Sequence, residues 1–393
     1  MPAAEAIRVN SIKGQSVEIS VVGGGLAGLA FAALMAERGA QVVVYERSEE
    51  LRLEGTGIFI WPAGVQILRM IVGDRLLDVG QPLEHLETYD RKGCFINSVS
   101  VRHEQSMLAP ALVFKRSELL GLLAAKLGTS ALQFCHEVVS IEDIDYRPKI
   151  CFANGRKVEC DLVVDACGAF SAIRAGLTLG DGRVKGPEYF GLAAARGLVD
   201  FDHNLLARDR AQIFTYDLSR IVTYPLKGGQ NLRYWFAAYQ LDGSMALLQK
   251  RGLLEHFSEI HPTLVEMIDA TDVNDIVSNK LCSMSGGPVL SRGNVVLVGD
   301  SAHTMLPTLG YGLTLGLENI HVLVNCLISN CTGNIESALK RFTSKVEERS
   351  ADIVTTMESI SKLYYFEPEG KVTRETLLPI VARFNSLLDQ TPM

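Results

Sequence analysis

VEISVVGGGLAGLAFAALMAERGAQVVVYERS, residues 17–48, carries the strongest structural signal in a chain of 393 residues. Val17–Val22 becomes continuously apolar, as a strand in a buried parallel sheet does. Leu29–Arg38 has apolar residues at helical spacing, and Gly39 then ends the predicted helix. Gln41–Tyr45 is a second apolar run of strand length. The pattern predicts a strand, a helix and a parallel strand, the repeating unit of a doubly wound α/β sheet.

Three glycines at the first turn have the spacing G-x-G-x-x-G. Gly23 permits a tight turn, Gly25 allows the backbone to approach a pyrophosphate, and Gly28 allows close helix–strand packing. The free N–H groups at the start of the helix then face the phosphates. Glu46 suits a ribose hydroxyl, and Arg47 beside it can flank the adenosine. The turn predicts a dinucleotide site without choosing between NAD and FAD.

A second glycine-rich turn follows a strand much later in the chain. Asn294–Val298 is apolar, Asp300 closes the strand, and Pro307 fixes a turn. Gly310 and Gly312 come next, and a helix follows whose N-terminus can stabilise a second negative centre. An ordinary strand-to-helix crossover is the alternative for this segment when it is taken alone.

Between these turns lies DLVVDACGAFSAIR, which runs from Asp161 to Arg174. Its first residues read as a buried strand, and its small residues read as a loop that handles a charged group. Cys167 stands in the middle of that loop, where a polar residue is expected.

The three segments together resemble those of the FAD-dependent aromatic hydroxylases, the single-component flavoprotein monooxygenases typified by p-hydroxybenzoate hydroxylase. The resemblance runs from about Val17 to about Ile360. It implies an α/β fold with a Rossmann-like FAD-binding domain, an interleaved antiparallel-sheet substrate domain and C-terminal helices. The implied segments are 17–80 for FAD, 81–110 for substrate-domain strands, 111–185 for FAD, 186–285 for the substrate-binding sheet, and 286–393 for the second glycine-rich turn and the C-terminal helices.

The resemblance also implies which residues bind FAD. Arg52 and Arg116 match family positions near the cofactor, and a solvated surface arginine is the alternative for each. Val139 matches a position whose backbone meets the adenine, and a plain strand valine is its alternative. The implied FAD-binding residues are Gly23, Gly25, Gly28, Glu46, Arg47, Arg52, Arg116, Val139, Asp300, Pro307, Gly310 and Gly312.

The chain departs from the family pattern in the middle motif and in the helix region after the second glycine-rich turn, where Asn319 replaces an acid that is often found there although Glu318 is present. The family's middle motif reads G-A-D-G-x-x-S-x-V-R, and here Cys167 replaces the Asp while Asp165 replaces the first Gly. A thiol is a weak hydrogen-bond acceptor, so handling of the reductant is the step in doubt. The family's G-Q-G becomes a triplet centred on Tyr311, which can contact a planar substrate or pack in the interior.

Residues 186–285 alternate as strands of an antiparallel sheet do. In the family this sheet covers the flavin and holds the substrate. Aromatic and basic residues are dense here, which suits a planar, anionic ring; aromatic core packing is the alternative for each residue. The candidate substrate residues are Tyr216, Arg220, Tyr224, Trp235, Pro307 and Tyr311.

The implied function is a FAD-dependent monooxygenase that hydroxylates a planar aromatic or heteroaromatic small molecule. NADPH or NADH is the implied transient reductant, and O2 reacts through a flavin C4a-hydroperoxide. No catalytic side chain is assigned, because the flavin carries the reaction. The alternative is a FAD-binding protein that NAD(P)H does not normally reduce: a substrate-reduced oxygenase, a cyclase-type catalyst or a non-enzymatic partner.

Two other flavoprotein classes fit less well. Cys326 and Cys331 have the C-x-x-x-x-C spacing of flavin disulfide reductases, but they lie in an apolar C-terminal helix rather than near the N-terminus. A flavin halogenase is disfavoured because the sequence W-x-W-x-I-P is absent; the tryptophans are Trp61 and Trp235.

Composition bounds the partners and the location. The net charge of −7 and the lack of a Lys/Arg block disfavour nucleic acid. Eight scattered cysteines favour a reduced, cytoplasmic protein over a disulfide scaffold. We expect no signal peptide at the polar N-terminus, no transmembrane helix in the interrupted apolar run 313–328, and no metal site.

Overall fold

The computed structural model describes residues 17–51, 56–101, 110–179, 182–183, 186–241, 246–284, 288–330, 334–367 and 371–390. The strands are β1 (Glu18–Val22), β2 (Gln41–Tyr45), β3 (Gly57–Ile60), β4 (Gln81–Leu83), β5 (His85–Tyr89), β6 (Phe95–Ser100), β7 (Ala111–Lys115), β8 (Leu132–Gln133), β9 (Val138–Glu142), β10 (Lys149–Phe152), β11 (Lys157–Glu159), β12 (Leu162–Asp165), β13 (Thr178–Leu179), β14 (Gly182–Arg183), β15 (Glu188–Asp200), β16 (Arg210–Tyr216), β17 (Ser219–Pro225), β18 (Leu232–Gln240), β19 (Val277–Ser283), β20 (Ser291–Arg292) and β21 (Val295–Leu297).

The helices are α1 (Leu26–Glu37), α2 (Pro62–Val72), α3 (Arg75–Val79), α4 (Arg116–Ala124), α5 (Ala172–Gly176), α6 (Lys250–His256), α7 (Pro262–Ala270), α8 (Asp300–His303), α9 (Gly312–Ile328), α10 (Ile335–Phe366) and α11 (Arg374–Leu388). Among the helices described, none is long and apolar enough to cross a membrane.

The predicted parallel sheet has the strand order β20-β21-β12-β1-β2-β8. Its neighbouring strands are parallel except at the edge, where β20 runs antiparallel to β21. The carboxyl ends of β1, β12 and β21 therefore meet at one edge of the sheet, which is where ligands bind in open α/β folds. This topology brings together the three segments singled out in the sequence.

Helix α1 begins at Leu26, earlier than the predicted Leu29. The N–H of Leu29 donates to the carbonyl of Gly25 at 2.9 Å, so the glycine-rich turn itself closes the first helical turn. Residues on all sides of α1 are buried, because the helix lies between the parallel sheet, α4 and α9. The predicted strands at the first and second glycine-rich turns are confirmed as β1, β2 and β21.

A larger sheet of seven strands has the order β19-β15-β18-β17-β16-β5-β6. Its neighbours are antiparallel, except that β5 and β16 run parallel. Because side chains alternate along each strand, its two faces have different partners. One face, which includes Trp235, packs on α6 and α7. The opposite face, which includes Tyr234 and Phe236, points toward the parallel-sheet domain.

The remaining strands form two three-stranded antiparallel sheets and a hairpin. Within 81–110, β5 and β6 belong to the large sheet, whereas β4 pairs with β7 in the small sheet β3-β7-β4. The segment boundaries stated above stay a prediction. The C-terminal helices α10 and α11 pack on each other, and α10 also packs on α9.

Candidate active site

One cavity of about 680 Å³ joins the carboxyl edge of the parallel sheet to one face of the large sheet. The first wall consists mainly of backbone from the two glycine-rich turns and the middle motif. The second wall consists of side chains from β15 to β19. We call these the glycine end and the sheet end of the cavity.

The three glycines of the first turn each leave room for a different neighbour. Gly23 has φ of 108°, and a Cβ there would lie 2.3 Å from the carbonyl oxygen of Ala166. A Cβ on Gly28 would lie 2.1 Å from the carbonyl oxygen of Gly23, so this glycine allows the close packing predicted for it. A Cβ on Gly25 would meet no atom within 4 Å and would enter the cavity. The structure therefore keeps space for a ligand against the backbone of Gly25.

Helix α1 leaves its first N–H groups open toward that space, because no side chain caps it. Glu46 is held beside the turn: its Oε2 accepts from the N–H of Gly24 at 2.8 Å, and its Oε1 accepts from the N–H of Ser48 at 3.0 Å. Glu46 and Arg47 both line the cavity. A pyrophosphate against the helix and a ribose against the carboxylate fit this arrangement.

The second glycine-rich turn forms the next part of the wall, with Asp300, Pro307, Gly310 and Gly312 all lining the cavity. Gly310 has φ of 65°, a conformation that favours glycine. Enclosure in the cavity raises the pKa of the Asp300 carboxyl, and the charge of Arg116 opposes that rise. Helix α9 also begins here without a side-chain cap, so its N-terminal N–H groups offer a second anion-stabilising centre.

The middle motif ties the two turns together through a buried carboxylate. Asp165 is fully buried and accepts hydrogen bonds from Ser171, from Ser301 at 3.1 Å and from the N–H of Cys167 at 3.0 Å. Burial raises the pKa of Asp165, and these hydrogen bonds oppose the rise. Arg174 donates to the carbonyls of Ser301 at 2.9 Å and Ala302 at 3.2 Å.

Cys167 itself lines the cavity, and its thiol contacts the carbonyl of Val22 at 3.5 Å. Cys167 therefore stands on the cavity wall where the resemblance predicts an acid, while Asp165 holds a carboxylate two residues earlier in the interior. The loop keeps its connections to the second glycine-rich turn. At this one position the wall carries a neutral thiol, because burial raises the pKa of Cys167.

The structure brings most of the predicted cofactor residues to one wall. Gly28 lies behind that wall, at the packing contact described above. Val139 is half exposed and does not line the cavity, whereas its neighbour Val138 does. Arg52 lies outside the described residues. The predicted residues along the cavity are Gly23, Gly25, Glu46, Arg47, Arg116, Asp300, Pro307, Gly310 and Gly312.

The predicted substrate residues lie in three different places: along the cavity, on the opposite face of the large sheet, and behind the cavity wall. Tyr224 and Pro307 line the cavity. Trp235 lies on the opposite sheet face, where its indole N–H donates to Thr271 at 2.8 Å, and Tyr216 packs near Phe257 on that face.

Arg220 and Tyr311 lie behind the cavity wall and support it. Arg220 is fully buried, donates to the carbonyls of Pro307 at 2.8 Å and Thr308 at 3.0 Å, and lies over the ring of Tyr365. Tyr311 donates to Glu318 at 2.7 Å.

The sheet end of the cavity also contains residues that the sequence pattern does not predict. Tyr234 and Phe236 line the cavity, and Tyr224 and Tyr234 contact each other with centroids 4.9 Å apart. Arg196 and Asn279 also line it. Period-two alternation places Tyr234 and Phe236 on one face, but which face meets the cofactor requires the sheet topology.

The structure also shows where one of the cysteines and one of the tryptophans lie that bear on the two other flavoprotein classes. Cys326 is buried in α9, and Cys331 lies outside the described residues. Trp61 packs edge-on against Phe384 of α11 at a centroid distance of 5.1 Å, and its indole N–H donates to the carbonyl of Leu309 at 2.9 Å.

Known enzymes resemble this chain along most of its length. A 3-amino-4-hydroxybenzoate 2-monooxygenase from Streptomyces cremeus is 27% identical over 91% of this chain and 89% of its own length. A 6-hydroxynicotinate 3-monooxygenase from Pseudomonas fluorescens is 28% identical over 86% of this chain and 90% of its own length. These two names describe the substrates of the relatives themselves.

Solved structures share the fold. Klebsiella pneumoniae HpxO complexed with FAD and uric acid superposes with a TM-score of 0.80 at 21% identity, covering 95% of this chain and 97% of HpxO. A salicylate hydroxylase substrate complex superposes with a TM-score of 0.77 at 20% identity, covering 95% of each chain. The predicted α/β class with a Rossmann-like part is therefore confirmed.

The model of the FAD-binding domain family matches residues 16–357, which include both glycine-rich turns, the middle motif and the large sheet. The glycine end of the cavity has the open backbone and the carboxylate that FAD needs. This chain belongs to the FAD-binding domain family.

Proposed function

We propose that the protein is a FAD-dependent monooxygenase that hydroxylates a planar aromatic or heteroaromatic small molecule. One observation carries the proposal: a single cavity joins the glycine end, which fits FAD, to the aromatic sheet end. The names of the similar enzymes support it, because urate, 6-hydroxynicotinate and aminohydroxybenzoate are planar ring compounds and their enzymes are hydroxylases or monooxygenases.

The reaction balances with one reductant and one oxygen molecule. A ring C–H, O2, NAD(P)H and a proton give a ring C–OH, NAD(P)⁺ and water. Bound FAD supplies the hydride acceptance and the oxygen activation that amino-acid side chains lack. The protein has to bind FAD and the ring compound, orient them toward each other and exclude water from the reacting atoms.

The residues of the glycine end are proposed to hold the cofactor. Gly25 and the first turn of α1 bind the pyrophosphate, and Glu46 accepts from the ribose. Asp300 and the N-terminus of α9 lie at the flavin part, where the charge of Arg116 opposes the rise that burial causes in the pKa of the Asp300 carboxyl. Arg220 positions this region indirectly, because it holds the carbonyls of the cavity-lining residues Pro307 and Thr308.

The sheet end is proposed to hold the ring. Burial raises the pKa of Tyr234 to about 12 and raises that of Tyr224 well above its usual range, so both phenols stay neutral at physiological pH. Neutral phenols and Phe236 offer an apolar wall with hydroxyl donors, against which a flat ring can pack. The apolar wall also excludes water from the reacting face.

NADH or NADPH is the proposed reductant, and O2 the second substrate. The alternative, in which FAD is bound but is not normally reduced by NAD(P)H, rests on Cys167 alone, which stands where the resemblance predicts an acid. We also propose a cytoplasmic location, since the cysteines of the described residues are free thiols.

Anaerobic mixing of the FAD-loaded protein with NADH and with NADPH tests the proposal. We expect one donor to bleach the flavin absorbance, and we expect ring compounds that bind to accelerate the bleaching. If neither donor bleaches the flavin with any ring compound, the alternative replaces the proposal. If the purified protein takes up no FAD, both fail.

A further inference from the structure

Arg196 and Asn279 stand beside the aromatic and aliphatic side chains at the sheet end of the cavity. In the pairing of β15 with β19, Asn279 lies opposite Ala194, and Arg196 is two residues further along the same face. Diagonal neighbours of this kind are about 7–8 Å apart, within reach of one small ligand. Both side chains line the cavity.

Arg196 offers a hydrogen-bond donor that no other residue described in the structure uses. Its Nε is buried and has no hydrogen-bond partner within that part of the chain. The positive charge of Arg196 opposes the rise that burial causes in the pKa of Tyr234, so the two side chains interact at this end of the cavity. A buried donor without a partner is costly, so a ligand acceptor at this position stabilises the site.

Asn279 offers an acceptor whose orientation is determined by its neighbour. The Nδ2 donates to the carbonyl of Lys280 at 2.8 Å, and only the NH2 end of the amide can make that bond. Its Oδ1 is buried and has no hydrogen-bond partner among the residues that the structure describes. A ligand N–H or O–H is the complement of this atom.

We propose that the ring compound bound here is a cyclic amide, with its carbonyl oxygen accepting from Arg196 and its adjacent ring N–H donating to Oδ1 of Asn279. This inference rests on the proposed function and specifies its substrate class. A ring carboxylate satisfies Arg196 but has no proton for Asn279 and brings its charge near the amide oxygen. The donor–acceptor pair therefore selects lactams over carboxylates.

The test uses ligand binding to the oxidised, FAD-loaded protein without reductant. The probes are 2-pyridone and 2-quinolone, the N-methyl derivative of each, and quinoline-2-carboxylate, titrated by flavin absorbance changes. N-methylation keeps the carbonyl and removes the proton, so we expect it to weaken binding about tenfold, the effect of one lost buried hydrogen bond. We expect the carboxylate to bind more weakly than 2-quinolone.

Variants assign the two contacts. Asn279→Leu should weaken only the N–H lactams and abolish their advantage over the N-methyl compounds. Arg196→Met should weaken the binding of the N–H lactams and of the N-methyl compounds about equally. Lys280→Met is the matched control, since it changes an exposed side chain at the next position of β19. It should leave the binding of both classes of compound unchanged. If Asn279→Leu fails to take up FAD, Asn279→Asp replaces it; this variant keeps the acceptor and should keep the preference.

The inference is overturned if neither lactam binds, if the N-methyl compounds bind as tightly as their parents, or if the carboxylate binds most tightly. Each of these results leaves the proposed function standing when NADH or NADPH still bleaches the flavin. Failure to bind FAD removes the proposed function instead.

Discussion

The glycine end of the cavity is formed by backbone, whereas the sheet end is formed by side chains. At the glycine end, a Cβ on Gly23 or Gly28 would approach a carbonyl oxygen to within 2.3 or 2.1 Å. At the sheet end, Tyr224, Tyr234 and Phe236 project from a regular antiparallel sheet. The first end tolerates few residue types, while the second can change its ligand by changing side chains on an unaltered scaffold. Changes at the two ends should therefore have separable effects.

The largest effect is expected from Gly28→Ala. The added Cβ would lie 2.1 Å from a backbone oxygen, so the turn and α1 must separate. We expect FAD affinity to fall at least about a hundredfold, roughly 3 kcal/mol, as measured by quenching of flavin fluorescence. Gly121→Ala in α4 is the control, because a Cβ there meets no atom within 4 Å. Equal FAD affinity in Gly28→Ala and the control would contradict the role given to the first turn.

Opposite faces of β18 offer the next test. Trp235→Leu removes a fully buried side chain packed toward α6 and α7, so we expect the free energy of unfolding to drop by about 3 kcal/mol with ring binding retained. Tyr234→Leu should lower ring affinity about tenfold, by loss of the ring contact and the hydroxyl, and should keep FAD. Urea unfolding and ligand titration measure the two quantities. A larger loss of ring affinity in Trp235→Leu would mean that the two faces have been assigned the wrong way round.

His303 makes the glycine end sensitive to acid. It is buried, both of its ring nitrogens lack a hydrogen-bond partner in the described part of the chain, and burial lowers its pKa to about 4. In the unfolded chain the His pKa is about 6.5, so the unfolded state binds the proton more readily than the folded state. The free energy of unfolding is therefore unaffected by His303 above about pH 6.5 and falls as the pH drops toward 4. Between about pH 7 and pH 4.5 we expect a loss of about 2 kcal/mol that disappears in His303→Leu. Unfolding curves at both pH values measure it; identical pH dependence in the variant would contradict the assignment.

The smallest expected effect concerns Cys167→Asp, which restores the family's acid on the cavity wall. We expect reduction of the flavin by a nicotinamide to accelerate about tenfold, or about 1.4 kcal/mol in activation free energy, with little change in FAD affinity. Anaerobic stopped-flow mixing measures the rate, and Cys167→Ser is the control that adds no charge. An unchanged rate would mean that the thiol only packs against the loop.

The same contrast explains how far the sequence could be interpreted. The strands and turns of the glycine end could be located because the chemistry of a backbone cradle restricts the residues at Gly23, Gly25 and Asp300. The resemblance to flavoprotein hydroxylases likewise predicted the sheet. Which face of that sheet meets the cofactor depends on strand order, so Trp235 was selected where Tyr234 lines the cavity.

Long-range contacts account for the other differences. Arg220 and Tyr311 read as ligand contacts because they are polar residues near functional segments. The structure shows Arg220 bound to backbone carbonyls of the second glycine-rich turn and Tyr311 bound to Glu318. Arg196 and Asn279 carry no motif, and only the register between β15 and β19 shows that they share a face.

The central claim is that FAD at the glycine end oxygenates a ring held at the sheet end. Turnover with NAD(P)H and a bound lactam under isotopically heavy oxygen gas tests it most directly, with mass spectrometry of the ring product. We predict one heavy oxygen atom in each product molecule, and none after turnover under ordinary oxygen gas in water enriched in the same heavy oxygen isotope. Oxygen consumption that yields only hydrogen peroxide, with an unmodified ring for every compound that binds, would contradict the claim.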